Sequence, residues 1–329
     1  MTSIAFIRRM GSPYDWVSTR SSAKPWLNHL KKKWVGPDES IYYYLKYTFP
    51  DIKVKMFTRK IFIERPEYLN KFDITFLGFE ELTLPFKEMV LTKQNSNGYK
   101  RYVSGMKRVK NLYPSYKFVD FIADKCKYYS FLQKNGIPIA PTKCFKTTAS
   151  SAYMKRELKK LPWKRTFIKP TPSAESTNVN SFVKDNFKSK RFNEHIRYLR
   201  NRKFDKVVAQ RFVNNFATSE HPELRTFWIA NKYQYTIETT EKGYDWNIRE
   251  RPLPKIVSEL SKKTLKLLES KFKAPLIITR LDWGFDGKRY FMNEIEYAPG
   301  TFAEIFPEGK WDLDTKIGDM FANIALARS

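Results

Sequence analysis

The chain has 329 residues, of which 42% are hydrophobic and 16% aromatic, so it can bury enough apolar surface to fold, which argues against global disorder. This length is too great for one small core and suits two or three packed lobes. The 61 lysine and arginine residues exceed the 34 aspartate and glutamate residues, and the formal net charge of +27 attracts polyanions and opposes self-association.

Residues 1–117 alternate between strand and helix patterns. Strands are predicted at Ile4–Ile7, Ile52–Phe57 and Phe72–Leu77, with helical segments around Pro25–Lys33 and Ser40–Tyr47. The cluster Asn95–Gly98 is typical of a loop. Because strands that alternate with helices indicate a layered α/β arrangement, we expect a small N-terminal α/β lobe here.

The pattern changes from residue 118 onwards. A helix is predicted at Phe118–Asn135, and the run Ile137–Thr142 must be extended because proline disfavours a helical residue before it. The later predicted helices are Ser150–Leu161, Asn193–Arg200 and Val257–Phe272, and the later strands are Thr166–Lys169, Lys206–Val213, Leu224–Ala230, Lys232–Ile237, Leu276–Trp283 and Tyr290–Ile295. The predicted fold class is therefore α/β (α+β).

Positive charge is concentrated between Lys155 and Arg211. In this segment the acids are few, namely Glu157, Glu175, Asp185, Glu194 and Asp205. Two interpretations have equal weight: a solvated surface, or a platform for an acidic polymer or nucleic acid, since charge alone never names a ligand.

The cysteine count and the hydropathy bear on location. Cys126 and Cys144 are the only cysteines, fewer than a small secreted fold uses, so we expect a reducing, cytoplasmic compartment. No run of about 18 apolar residues is present, so no transmembrane helix and no membrane partner are expected. The three histidines have no metal-ligand spacing.

The most informative stretch runs from Thr279 to Gly300. Its two apolar strands contain Asp282, Glu294 and Glu296, and burying carboxylates without compensation is very costly. Three carboxylates on one face repel one another unless a cation joins them, and Mg²⁺ prefers oxygen ligands of this kind. The alternative is an exposed hairpin edge with salt bridges to Arg280 and Arg289.

Strand parity sets a condition on this metal hypothesis. A loop made of Asp286 and Gly287 alone would place Glu294 on the face opposite Asp282. An odd loop or one β-bulge returns Asp282, Glu294 and Glu296 to a common face. The metal site therefore requires one of these two features.

Three weaker motifs suggest nucleotide contacts. Lys169 ends an apolar strand before a small-polar loop, where its ammonium could reach phosphate oxygens, or it is an ordinary surface lysine. The strand end Gln210–Val213 could pair with an adenine edge, although a core strand is the simpler interpretation of that motif by itself. Glu223 could hold ribose hydroxyls and Arg225 could neutralise phosphate or carboxylate, or the two form an exposed pair.

In this order and at these spacings, the motifs of residues 118–302 resemble the ATP-grasp superfamily. Asp124-Lys125 and Gly136–Thr142 resemble its lysine-bearing helix and the extended segment that follows. Phe167–Pro170 resembles its second nucleotide lysine, and Gln210–Val213 resembles its adenine hinge. Glu223–Arg225 resembles its ribose-binding acid with a nearby arginine. Arg280–Asp282 and Asn293–Gly300 resemble its magnesium strands.

The resemblance implies an ATP-grasp fold, with residues 1–117 as an N-terminal pre-ATP-grasp lobe and 118–329 as the ATP-grasp domain. The latter divides into a central basic lobe of about 143–212 and a C-terminal magnesium-binding lobe of about 213–329. The implied ATP contacts are Lys125, Lys169, Gln210, Phe212, Val213, Glu223 and Arg225; the implied Mg²⁺ ligands are Asp282, Glu294 and Glu296; the implied catalytic residues are Arg280 and Lys169.

The implied reaction joins a carboxylate to an amine, both from small molecules or peptides, through an acylphosphate, and releases ADP and phosphate. Two positions depart from the family pattern. Thr171–Val179, in place of the phosphate loop, has no glycine, so its backbone approaches phosphate less freely. Glu296 stands where asparagine is common, and its extra charge suits a pair of magnesium ions.

A binding function stays open beside the enzymatic one. The charge of +27 and the interleaved aromatics, as in Arg191-Phe192, also suit a nucleic-acid or polyanion binding protein on an inactive ATP-grasp scaffold. Binding alone would not require Asp282, Glu294 and Glu296 on core strands, and the two functions can combine.

Overall fold

A computed structural model describes residues 2–8, 17–19, 24–77, 96–172, 180–183, 190–202, 204–214, 216–242, 245–274, 276–297 and 312–327. These residues form three sheets of four or five strands and one two-stranded ribbon. Each of the larger sheets draws its strands from one stretch of the sequence, N-terminal, central or C-terminal.

The N-terminal sheet is parallel, with strand order β4-β1-β5-β6. Its region contains β1 (Ser3–Arg8), β2 (Val17–Ser18), β3 (Trp34–Val35), α1 (Pro37–Thr48), β4 (Lys53–Thr58), α2 (Ile61–Glu64), β5 (Ile74–Phe76), α3 (Ser96–Arg108) and β6 (Leu112–Tyr113). Residues 4–7 are fully buried, as expected for a central parallel strand covered on both faces. The predicted α/β layer is confirmed.

Two local predictions in this region are wrong. The segment around Pro25–Lys33 contains only a short 3-10 helix, Pro25–Leu27. The predicted loop Asn95–Gly98 instead overlaps the start of α3 at Ser96, while residue 95 lies outside the described residues. Asparagine, serine and glycine have low helix propensity, and the long amphipathic helix that follows overrides that local preference.

The single helix predicted at Phe118–Asn135 is two helices, α4 (Tyr116–Ala123) and α5 (Lys125–Lys134). Asp124 separates them because its backbone is non-helical and its carboxylate accepts hydrogen bonds from the amides of Cys126 and Lys127. This N-cap places Lys125 at the first position of α5.

The central sheet is antiparallel, with strand order β7-β10-β8-β9. Its elements are β7 (Thr142–Lys146), α6 (Ser151–Lys159), β8 (Arg165–Thr171), β9 (Asn180–Val183), α7 (Lys190–Asn201) and β10 (Lys206–Arg211). Helices α6 and α7 pack on one face through Leu158, Phe192 and Leu199. Because side chains alternate along a strand, Phe167 and Lys169 lie on the opposite face.

The C-terminal sheet is antiparallel, with strand order β13-β12-β11-β14-β15. Its elements are β11 (Glu223–Ile229), β12 (Lys232–Lys242), β13 (Asp245–Glu250), α8 (Lys255–Phe272), β14 (Ile278–Phe285) and β15 (Tyr290–Glu296), followed by α9 (Leu313–Leu326). The predicted turn at Asn231 is confirmed, and Ala230 and Asn231 both have positive φ.

The last helix returns to the N-terminal sheet. In α9, Asp319 accepts a hydrogen bond from Tyr44 of α1 (2.6 Å), and Asp314 accepts one from Ser40 (2.6 Å). Gly318 permits this approach, since a Cβ atom there would lie 2.4 Å from the ring of Tyr44. The predicted division of the chain at residue 117 stays a prediction. It does not account for the packing of α9 on the N-terminal lobe.

Among the described helices, none combines the length and the apolar character that a bilayer crossing requires.

Candidate active site

A β-bulge brings the three predicted metal carboxylates together. Asp282 of β14 pairs with Glu294 of β15, but the next residue of β14, Trp283, pairs with Met292. The bulge residue, Asn293, restores the parity that the sequence demanded. One carboxylate oxygen from each of Asp282, Glu294 and Glu296 then lies within 4.8 Å of the others, which confirms the predicted convergence.

Arg280 compensates two of these carboxylates. It is 5% exposed and donates to Asp282 in a two-point contact, with Nε–Oδ1 at 2.7 Å and Nη2–Oδ2 at 2.8 Å. Its Nη2 also lies 2.8 Å from an oxygen of Glu296. A planar guanidinium suits such forked contacts, so Arg280 is held rigidly within the cluster.

Lys125 compensates the third carboxylate. Its ammonium, which is nearly buried, contacts Glu294, 169 residues away in sequence. Its backbone amide donates to Thr171 Oγ1 (2.9 Å) at the end of β8, so the first turn of α5 joins the central sheet to β15. The N-cap at Asp124 sets the position of Lys125.

Burial and these ion pairs act against each other on the pKa values. Burial raises the pKa of Asp282, and the nearby Arg280 only partly opposes that rise. Burial also favours a neutral Glu294, but Lys125 and then Lys169 and Arg280 outweigh it, and the pKa of Glu294 is lowered. Lys169 of the central sheet is therefore near enough to Glu294 for its charge to act on that carboxylate.

Glu223, predicted to contact ribose, is 4% exposed and already well supplied with donors. It accepts two hydrogen bonds from Arg225 (3.1 and 3.0 Å), one from Thr239 (3.3 Å) and one from the side-chain amide of Asn293 (2.7 Å). Arg225 lies opposite Asp282 on the neighbouring strand. The structure therefore joins Glu223 and Arg225 to the carboxylate cluster through Asn293, and their nucleotide roles stay predictions.

The exposed-pair alternative is wrong for Glu223 and Arg225. The hairpin alternative is confirmed in part, since β15 is an edge strand and Arg280 forms salt bridges, but the charged residues of β14 are not exposed. Arg280 and Asp282 are buried, and Arg225 and Glu223 form a buried ion pair with side chains 13% and 6% exposed. Buried charges need partners, and each of these four has at least one.

The predicted hinge Gln210–Val213 lies where the central and C-terminal sheets meet. Gln210 is buried and donates to Thr142 (3.3 Å). Phe212 stacks on Phe167, with ring centroids 4.9 Å apart. Val213 packs with Ala140 and Phe291 in a small apolar cluster. These surroundings fit an apolar slot beside a strand end that carries backbone donors and acceptors.

Several residues of this region were not predicted from the sequence to belong to the site. Phe167 shares a face with Lys169, whose Nζ lies 6.0 Å from the Phe167 ring centroid. Phe291 of β15 lies against Gly284 of β14, where a Cβ atom would come within 2.4 Å of the ring. The signal for Phe167 was present, since it precedes Lys169 by two residues in a strand. Asn293 carried no such signal, because bulge positions are not periodic.

Residues 173–179 of the predicted phosphate loop and residues 298–300 of the magnesium motif lie outside the described residues. Cys126, in the first turn of α5, forms a disulfide with Cys144 of β7. Cysteine number alone does not predict that bond. A disulfide weighs against the reducing compartment, which stays a prediction.

Comparisons with known proteins bear on the fold. No protein-family model and no curated protein sequence matches this chain. Among solved structures, D-cycloserine synthetase DcsG is similar at 13% identity and a TM-score of 0.68, over 97% of this chain and 99% of that one.

Two further solved structures are similar over almost their whole length. D-alanine–D-alanine ligase from Bacillus anthracis, complexed with ATP, has 12% identity and a TM-score of 0.59, over 99% of this chain and 98% of that one. The ATP-grasp ligase PsnB, complexed with a minimal precursor, Mg and ADP, has 12% identity and a TM-score of 0.59, over 98% and 97%. Together with the geometry above, these similarities show that this chain has the ATP-grasp fold.

Proposed function

We propose that this chain is an ATP-dependent ligase that joins a carboxylate to an amine, or to a similar nucleophile, through an acylphosphate. The observation that carries the proposal is the convergence of Asp282, Glu294 and Glu296 with Arg280 and Lys125. A binding scaffold gains nothing from burying so many charges in one place, because each buried charge costs free energy unless it is paired.

The carboxylate cluster fits magnesium. Its donors are all oxygen atoms within 4.8 Å of one another, slightly more than the roughly 4.2 Å that two oxygens at about 2.1 Å span across one magnesium ion, so the spread suits a pair of ions or one ion with a small side-chain adjustment. Asp282, Glu294 and Glu296 would hold the ion or ions. When bound, magnesium would neutralise the negative charge that develops on the phosphate oxygens.

The nucleotide would lie between the central and C-terminal sheets. Adenine would lie against the apolar side chains beside Gln210–Val213, where Phe167 stacks on Phe212 and Phe291 packs with Val213. Lys169 would meet the phosphates, because it shares the face of Phe167 and its charge acts on Glu294 of the carboxylate cluster. Lys125 would hold phosphate from the first turn of α5.

The chemistry follows from this charge arrangement. An oxygen of the substrate carboxylate attacks the γ-phosphorus of ATP, the bond from that phosphorus to the β–γ bridging oxygen breaks, and ADP leaves. The amine nitrogen then attacks the acylphosphate carbon, the carbon–oxygen bond breaks, phosphate leaves, and the amine loses a proton. Lys125, Lys169 and Arg280 supply fixed positive charge around the migrating phosphoryl group, which is the main requirement of such a site.

The substrates are small-molecule or peptide carboxylates and amines. The fold relatives support that range by what their names state, since one joins D-alanine units and another was solved with a peptide precursor. We propose the cytoplasm as the location because ATP is supplied there, although the Cys126–Cys144 disulfide is uncommon in a reducing compartment.

The test is ADP release with pools of carboxylates and amines in the presence of magnesium. We expect release that needs both pools, and we expect Glu294→Gln to lower it by roughly a hundredfold or more, as for other groups that stabilise transition-state charge. The matched control is Glu259→Gln on the exposed side of α8. Turnover by Glu294→Gln equal to that of the control would rule out the assignment.

A further inference from the structure

The outer surface of α6 and α7 lies on the far side of the central sheet from the candidate active site. The inner sides of both helices are buried against the central sheet. Their outer sides face away from Lys169, because the helices cover one face of the sheet and Lys169 lies on the other. Any ligand on this surface is therefore separate from the nucleotide site.

This outer surface, which we call the α6–α7 basic surface, is dense in cations. Its lysines and arginines are Lys155, Arg156, Lys159, Lys160, Lys190, Arg191, Arg197, Arg200 and Arg202. The spacing is helical: Lys190 and Arg197 are seven residues apart and lie on one side of α7. The buried residues Phe192, Ile196 and Leu199 lie between these cations in sequence, so α7 has one apolar side and one cationic side.

The acids of this surface are already engaged. Glu157 lies 2.8 Å from Lys143 and 2.7 Å from Lys160. Glu194 lies 3.6 Å from Lys190. The surface therefore keeps a large positive excess after its own ion pairs are made.

The protonation behaviour of the groups agrees with this excess. Hydrogen bonds from Lys143 and Lys160 lower the pKa of Glu157 to about 2. Burial, and then the neighbouring Lys159, lower the pKa of Lys155. The shift of the Glu157 pKa has the direction that a locally positive potential produces, whereas that of the Lys155 pKa follows first from burial.

Exposed aromatic rings lie among the cations. Tyr153 is 42% exposed and Tyr198 is 39% exposed. The guanidinium of Arg156 lies 5.4 Å from the Tyr153 ring, and that of Arg202 lies 5.2 Å from the Tyr198 ring. Cationic tracks with aromatic rings are the combination by which proteins bind single-stranded nucleic acid, where phosphates meet the cations and bases stack on the rings.

We propose that the α6–α7 basic surface binds the phosphate backbone of single-stranded nucleic acid. The cations neutralise successive phosphates, and Tyr153 and Tyr198 offer ring faces or edges to the bases. An acidic polypeptide would use the cations but would gain little from the two rings. Because the surface lies on the far side of the central sheet, nucleic acid bound there leaves the nucleotide site accessible.

The test compares two triple variants by fluorescence anisotropy with a labelled single-stranded oligonucleotide of about 20 nucleotides, long enough to span one binding track. The first is Arg156→Glu, Lys190→Glu and Arg197→Glu. The second is Lys255→Glu, Lys262→Glu and Lys266→Glu, on the exposed side of α8. Both lower the net charge equally, so they separate a local site from the total charge.

We expect the first variant to raise Kd about tenfold or more and to reduce the salt slope, measured between about 50 and 200 mM, by about 2, because each lost phosphate contact removes about 0.7. The second variant should stay close to the unmodified protein. Equal curves for both triple variants would overturn the proposal, and so would tighter binding of poly-glutamate than of the oligonucleotide. Thermal melting checks folding, and glutamine at the same three positions replaces glutamate if the first variant does not fold.

Discussion

Two charged regions of this molecule differ in burial and in the balance of positive and negative charge. On β14 and β15 the charges of Arg280, Asp282, Glu294 and Glu296 lie in a confined cluster, and the guanidinium of Arg280 and the carboxylate of Asp282 are buried. On the α6–α7 basic surface most of the cations are exposed, and the cations outnumber the acids. In the first region each charged side chain has a partner of opposite charge, whereas the second region has an excess of positive charge.

The environments explain why the two regions respond differently to change. Removing one partner from a buried ion pair leaves an uncompensated charge in a poorly solvated site, at a cost of about 3–5 kcal/mol. An exposed ion pair contributes about 0–1 kcal/mol and is screened by salt. Removal of a single charge from the cluster should therefore have a large effect. On the basic surface, only the removal of several charges together should have a clear effect.

The largest expected effect comes from the centre of the cluster. Arg280→Ala should lower the free energy of unfolding by about 3–5 kcal/mol, since Asp282 and Glu296 lose their common partner. Urea unfolding measures this value. Added magnesium should recover part of it, because a bound cation would take over the neutralisation and stabilise the folded state.

The matched control for this measurement is Arg108→Ala. Arg108 pairs with Glu67 at 2.6 Å, but both side chains are about half exposed. This substitution should cost less than about 1 kcal/mol. Equal costs for the two arginine variants would contradict the distinction between buried and exposed pairs.

The next effect tests whether position matters more than charge in the central lobe. Lys169→Ala should weaken ATP binding by about 1.5–3 kcal/mol, which is roughly 10- to 150-fold in Kd, because a charge-assisted phosphate contact is lost. Lys164→Ala, at an exposed position just before β8, removes the same charge and should leave Kd unchanged. Isothermal titration with ATP and magnesium compares them, and unchanged affinity in Lys169→Ala would argue against the nucleotide assignment.

The smallest effect concerns a titrating group beneath the basic surface. Burial, and then Arg191, lower the pKa of His195 from about 6.5 to about 4. Between pH values of about 6.5 and about 4, His195 is therefore protonated in the unfolded chain but not in the folded chain. The free energy of unfolding should fall as pH falls from about 6.5 to about 4.

His195→Gln removes that titration and should flatten the pH dependence by about 1–2 kcal/mol, a figure reduced for the partial solvation of the site. Thermal melting at several pH values measures the slope. His29→Gln, at an exposed position, is the control. An unchanged slope in His195→Gln would show that burial does not govern this histidine.

Much of the site could be predicted because its signals are local. Strand alternation showed that Asp282, Glu294 and Glu296 share a face only with an odd loop or a bulge, and the structure contains the bulge at Asn293. Parity is a property of consecutive residues, so it can be counted along the chain.

The break at Asp124 was also within reach of local reasoning. Aspartate is a preferred N-cap, and its carboxylate holds the two amides that follow. The apolar periodicity of Phe118–Asn135 concealed it, because a helix pair with no intervening loop keeps nearly the same spacing of buried residues.

By itself, the sequence determined most of the strands and helices, the acids and cations of the site, and the need for a bulge, because these follow from side-chain spacing within one segment. Only the tertiary structure decided which charges meet. Lys125 reaches Glu294 across 169 residues, Cys126 bonds to Cys144, and α9 returns to α1. Such pairings depend on how whole elements pack, and local periodicity specifies the buried face of an element but not the element that covers it.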